Sequence, residues 1–243
     1  MDNTGLLMCS RYAVSPNRLE YCGPLRSSEV LTYLQEQTSD DGLARILSNF
    51  ETMYPYLSLI AYENNIKDPF DSRVVEAYWI GNTLLNHVPS KALYTYFTNT
   101  LYLGKRMKQQ DLQWLYSKIP QGALAHHSFH VLNIFTRTGH HTLRHTLSTM
   151  DACRIGWGVV KKVHAASVRI LTSPLVLQKG KLKLDAPVLR DIVIPSWLPV
   201  SQKNVGSTYT FHWNVLCEKI NTAQAEKLRH HTHIAISLAN LTL

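Results

Sequence analysis

The spacing of apolar residues changes near Asp151, and that switch constrains the fold of this 243-residue chain more than any motif in it. Ahead of Asp151 apolar residues recur at helical spacing. Behind it, short runs rich in Val, Ile, Leu and Thr are separated by turn residues. Helices first and strands second predict an α+β protein. Residues 1–150 read as an all-helical domain, and residues 151–243 as a small β-barrel domain with a C-terminal helix. No repeat or low-complexity linker separates the halves, so they are expected to pack together.

Within the first half, Ser28 is expected to cap a helix over 29–37. Helical spacing runs from Leu43 to Asn64, to be kinked or split by Pro55. Asp68-Pro69-Phe70-Asp71 is a start signal, with Asp68 at the cap and Pro69 at the first position. That helix carries Val74, Val75, Tyr78 and Trp79 and stops near Gly81. Further helices are predicted from Ser90 to Leu103, over 112–119 and over 142–150. Strands are predicted over 154–163, 166–178, 188–194 and 207–216, with Lys179-Gly180-Lys181 a tight turn. Asn221 and Gln224 have capping-box spacing and open a last helix to Leu238.

Composition excludes several classes. A hydrophobic share of 45% with 17% charged residues is that of a folded chain. No apolar run approaches the ~20 residues that span a bilayer. Met1 to Ser10 lack the pattern of a secretory signal, so a cytoplasmic location without membrane contact is expected. Cys9, Cys22, Cys153 and Cys217 form no CxxC pair and are expected to stay reduced. The net charge of +8 is scattered over short clusters such as 105–108 and 179–183, which argues against a nucleic-acid surface.

The chemistry concentrates on Cys153 and His212. A thiolate and an imidazole together suit a late first-row metal. Strand alternation over 209–214 puts Tyr209, Phe211 and Trp213 on one face and His212 on the other. Cys153, then Trp157-Gly158-Val159, then Tyr209-Thr210-Phe211-His212 and a helix with Gln224-Ala225-Glu226 follow one another in order. This arrangement resembles the HypC/HupF family of hydrogenase-maturation chaperones, over about 85 residues. The family's cysteine follows the initiator Met, whereas Cys153 is internal, and Trp157 stands where the family has proline. The resemblance implies a HypC-like barrel and a non-enzymatic metallochaperone. It implies that Cys153 and His212 hold or transfer an iron carrying cyanide and carbonyl ligands. It also implies two partners, a maturation scaffold protein and the large subunit of a nickel–iron hydrogenase. The whole chain, including Pro16 to Pro24, is also similar to an uncharacterised bacterial family associated with hydrogenase gene clusters.

Other residues could join a metal site. His126, His127 and His130 are the densest histidine cluster; on a helix, His126/His130 or His127/His130 would share a face. Cys22, in the turn Tyr21-Cys22-Gly23-Pro24, could be a second metal or transfer thiol. Glu76 is expected to pair with Arg73, and His140, His141 and His145 to be solvated. No catalytic residue is assigned, because no nucleophile–base motif or phosphate loop is present. Two other readings stay open. One is a metal- or thiol-dependent enzyme using Cys22 or the histidine cluster. The other is a small-barrel nucleic-acid binder using Tyr209, Phe211 and Trp213.

Overall fold

The computed structural model describes residues 2–134 and 144–243. Helix α1 spans Asn3–Arg18 and is capped by Asp2, whose carboxylate accepts from the Thr4 and Gly5 N–H groups. Its buried face carries Leu6, Cys9, Tyr12 and Ala13. At Gly5 the helix meets backbone: a Cβ there would lie 1.7 Å from the Phe70 carbonyl oxygen. A Gly5→Ala chain is therefore expected to lose about 3 kcal/mol, the upper end of the usual overpacking cost, because backbone cannot repack as a side chain can. Urea denaturation measures this; a midpoint equal to that of the parent protein would contradict it.

Helices α2 Ser27–Glu36, α3 Asp41–Ser48, α4 Met53–Glu63 and α5 Ser72–Trp79 follow. The expected long helix over 43–64 is split at 49–52, so Pro55 falls in the first turn of α4, where it is tolerated. The cap of α5 is Asp71, not Asp68. Asp68 instead accepts from the N–H groups of Asp2 and Phe70, tying the start of α1 to the entrance of α5. The helix predicted from Ser90 to Leu103 is α6 Ser90–Thr95 running into a π-helical turn over 96–100. Next come α7 Leu103–Arg106, α8 Gln109–Lys118, α9 His127–Asn133 and α10 Leu147–Cys153. Residues 142 and 143 of the predicted 142–150 helix lie outside the described residues.

Strands β1 Gly156–Val163, β2 Ser167–Thr172, β5 Val188–Val193, β6 Thr208–His212 and β7 Val215–Ile220 make one sheet in the order β1-β2-β5-β7-β6. Strand β6 also pairs antiparallel with β1, so the order returns to its start. The predicted strand 166–178 is broken at Ser173-Pro174, and its second half, β3 Leu175–Gln178, forms a separate hairpin with β4 Lys181–Leu184. The predicted tight turn is present there, with Lys179 and Gly180 at positive φ. The predicted strand 207–216 also breaks, at Trp213-Asn214. Both residues have positive φ (51° and 60°), the two-residue hairpin turn that matches strand twist.

Two apolar cores result. The smaller lies among the strands and holds Val160, Val168, Ile170, Tyr209 and Phe211. Tyr209 and Phe211 are thus interior groups and offer no stacking platform on a surface. The larger core crosses the boundary drawn near residue 150, joining helical residues such as Tyr12, Tyr78 and Phe129 to Ile155, Leu175, Trp197 and Cys217. Helix α11 Thr222–Ala239 opens on the Asn221/Gln224 capping box and packs along α9, where Asn133 Nδ2 donates to the Ala235 carbonyl at 3.0 Å. No helix among the described residues is long and apolar enough to cross a membrane.

Candidate metal centre

Three elements from distant parts of the chain converge on one point. Cys153 ends α10, His212 ends β6 and His127 begins α9. One ligating atom from each lies within 4.8 Å of the other two, and this is the one such group of three found among the described residues. The sequence reading put Cys153 between the helix predicted over 142–150 and the strand predicted over 154–163; it is the last residue of the helix, with β1 starting at Gly156. Two contacts hold that helix end. Arg154 returns its N–H to the Met150 carbonyl, and the Trp213 N–H donates to the Ala152 carbonyl at 2.9 Å. The second fastens the hairpin tip after His212 directly beside the thiol.

His212 is the best prepared of the three candidate ligands. It is buried, and its Nδ1–H donates to the Tyr12 carbonyl at 2.7 Å. A carbonyl can only accept, so Nδ1 carries the proton and Nε2 carries the lone pair. Nε2 is buried and makes no well-formed hydrogen bond with the described residues. Burial holds the His212 pKa down, to about 4, against the opposing effects of the Tyr12 and Cys153 backbone. The ring is therefore neutral at neutral pH, the form a metal requires.

His127 is neutral for the same reason. Burial, then the neighbouring His212, push its pKa well below the ordinary histidine value. Its Nε2–H donates to the Cys153 carbonyl at 2.8 Å, and its Nδ1 faces the Tyr78 hydroxyl at 3.2 Å. With Nε2–H committed, Nδ1 has the lone pair and the phenol is the donor. To bind a metal, His127 would have to give up one of these two hydrogen bonds.

The trio opens on a cavity of about 550 Å³, whose walls include Tyr78, Trp79, Phe50 and Trp213. Of the other candidates, Cys22 and His130 line this cavity, and neither joins the close group. His130 Nδ1 lies 3.2 Å from the Tyr56 hydroxyl, and burial lowers its pKa to about 3. His126 turns away. It caps α9 by accepting the Ser128 N–H at 3.1 Å, and its ring stacks on His231. Of the expected histidine pairs, only His127/His130 share the cavity.

His145, expected to be solvated, also lines the cavity, while His140 and His141 lie outside the described residues. Glu76 does not pair with Arg73. It accepts from Asn82 and Gln224, and Arg73 pairs with Asp71. No disulfide joins the four cysteines.

Tyr12 and Tyr78 support the site, and no sequence signal singled them out. Tyr12 also donates its hydroxyl to Glu218 at 2.7 Å, and Arg11 lies 3.6 Å from the same carboxylate. Burial raises the Glu218 pKa, opposed by Tyr12 and Arg11. A carboxyl group whose pKa is raised by folding loses its stabilising contribution as pH rises through the folded value. A Glu218→Gln chain is thus expected to gain stability relative to the parent as pH climbs from about 4.5, the ordinary glutamate value. Thermal melts across pH check this, and parallel curves for the two chains would refute it.

The model of a family described as Family of unknown function (DUF6390) matches residues 1–243. No curated protein and no solved structure matches the chain.

Proposed function

We propose that this chain, which belongs to the DUF6390 family, holds a late first-row transition metal at Cys153, His212 and His127 and passes it on. The observation that carries this reading is the convergence of one thiol and two neutral, buried imidazoles within 4.8 Å. Soft sulfur with borderline nitrogen favours iron, cobalt, nickel, copper or zinc over magnesium or calcium. Three protein ligands leave coordination positions for groups that the metal brings with it or exchanges.

The resemblance to HypC/HupF chaperones narrows the cargo to an iron unit with cyanide and carbonyl ligands. It narrows the partners to a maturation scaffold and the large subunit of a nickel–iron hydrogenase. On this reading the closed strand order is a HypC-like barrel, and the helices supply what a short chaperone lacks. His127 is a third ligand from the helical half. Tyr12 is the carbonyl that sets the His212 tautomer. The cavity would give the cyanide and carbonyl ligands walls that include Tyr78, Trp79, Phe50 and Trp213. The protein acts as a carrier, and no side chain is assigned a catalytic step.

Infrared spectroscopy on protein purified without oxygen from a host that makes nickel–iron hydrogenase tests the cargo. Cyanide and carbonyl stretching bands are expected, and they should vanish in Cys153→Ala. A metal-free protein from that host, together with normal hydrogenase maturation after deletion of its gene, would overturn the reading.

A further inference from the structure

We propose that Cys22 is a second thiol station for the same metal, taking it at the wall of the cavity and passing it to Cys153. This rests on the metal-binding reading above and adds a route to it.

Cys22 sits on a turn that is built rather than loose. Asn17, buried at the end of α1, donates its side-chain amide to the Cys22 carbonyl at 2.8 Å and to the Pro24 carbonyl at 2.7 Å. Gly23 has φ +80°, and a Cβ there would strike the Phe50 ring, so the backbone is fixed by its neighbours. Tyr21, the preceding residue, packs its ring on Trp213 with centroids 4.6 Å apart. Trp213 is the residue after His212 and is bonded to Ala152, the residue before Cys153. The Cys22 turn is thus fastened to the hairpin tip that carries one ligand and to the helix end that carries another.

Both thiols line the same cavity and both are half-buried, whereas Cys9 and Cys217 are buried elsewhere. The independent sign of a ligand in this cavity is His212 Nε2, a buried imidazole nitrogen with its lone pair aimed into the site and no well-formed bond from a described residue. Cys22 falls outside the group within 4.8 Å, so it is not a fourth standing ligand of that geometry.

The transfer is a ligand exchange. The bond from the metal to Cys22 Sγ breaks, and that thiolate takes up a proton. Cys153 gives up its thiol proton and forms the new bond from Sγ to the metal. One proton is released and one is consumed, and the metal keeps its oxidation state, so no oxidant or reductant enters.

The test uses the full chain, reduced and without oxygen, with Co(II) as the probe. Cys22→Ser is expected to leave the equilibrium affinity within about threefold, and to slow both Co(II) loading and its removal by a chelator by about tenfold. The rate effect is at the low end of what loss of a supporting group does to a metal site. In the parent chain, iodoacetamide quenches during loading should show Cys22 protected early and Cys153 protected at the end. That second measurement needs no substitution and covers the case in which Cys22→Ser fails to fold. Unchanged rates in a folded Cys22→Ser chain would overturn the relay. So would a loss of affinity beyond about tenfold, which would make Cys22 a standing ligand. Retained binding in Cys153→Ser would instead overturn the metal site itself, so the two failures are distinguishable.

Discussion

Replacing Cys153 by Ser is expected to weaken Co(II) binding by at least ~100-fold, because loss of a ligand should exceed the ~10–100-fold cost of losing an outer partner. Serine preserves the shape but removes the soft donor that selects a late first-row metal. The near-ultraviolet bands from thiolate to cobalt should disappear at the same time, and anaerobic titration reads both quantities. His212→Gln should come next, since its Nε2 already presents a lone pair and its tautomer is set by the Tyr12 carbonyl. His127→Gln should have the smallest effect of the three, because both of its ring nitrogens are already hydrogen-bonded and one must be released first. Cys9 and Cys217 serve as controls. Burial raises Cys9 to about 12 and Cys217 well above the ordinary thiol value, so neither supplies a thiolate. An unchanged affinity in Cys153→Ser would overturn the metal site.

The switch from helices to strands was readable because each half keeps its own periodicity over many residues. What failed were single residues whose role is decided by distant partners. Asp68 carries a good start signal before Pro69, but its carboxylate is consumed by the N–H groups of Asp2 and Phe70. The break after His212 was invisible because Trp is an unusual residue at positive φ, so 207–216 read as one strand. Cys153 fell just outside the helix predicted over 142–150, because a helix of only seven residues has too few turns to mark where it ends. The site was half legible. Cys153, His212 and the histidine cluster were all marked by residue type, but only the fold selects His127 over His126 and His130. The group that prepares His212 is a backbone carbonyl, of Tyr12, and no side-chain pattern can report it.

Asp151→Ala is expected to cost ~3–5 kcal/mol of stability, because it leaves a buried charge without its partner. Arg154 is 1% exposed, and burial pulls its pKa down while Asp151 opposes that shift. Asp151 Oδ1 accepts from Arg154 Nε at 3.0 Å and Nη2 at 2.8 Å, and from the Leu175 N–H at 2.9 Å. Its Oδ2 lies 2.9 Å from Arg190. Without this carboxylate, Arg154 keeps only the Ser173 carbonyl and the face of Trp157, and the Leu175 amide loses its acceptor. Chemical denaturation should show the loss, and Asp151→Leu combined with Arg154→Met should recover most of it, since apolar replacement of both partners is often neutral. The same carboxylate joins α10 to β5 and to the β3–β4 hairpin, two residues from Cys153. Its loss should therefore loosen the thiol's position as well as the fold, and added Co(II) should restore part of the stability by binding the folded form. Stability equal to the parent's would mean that the end of α10 is held by the Trp213–Ala152 hydrogen bond and apolar packing alone.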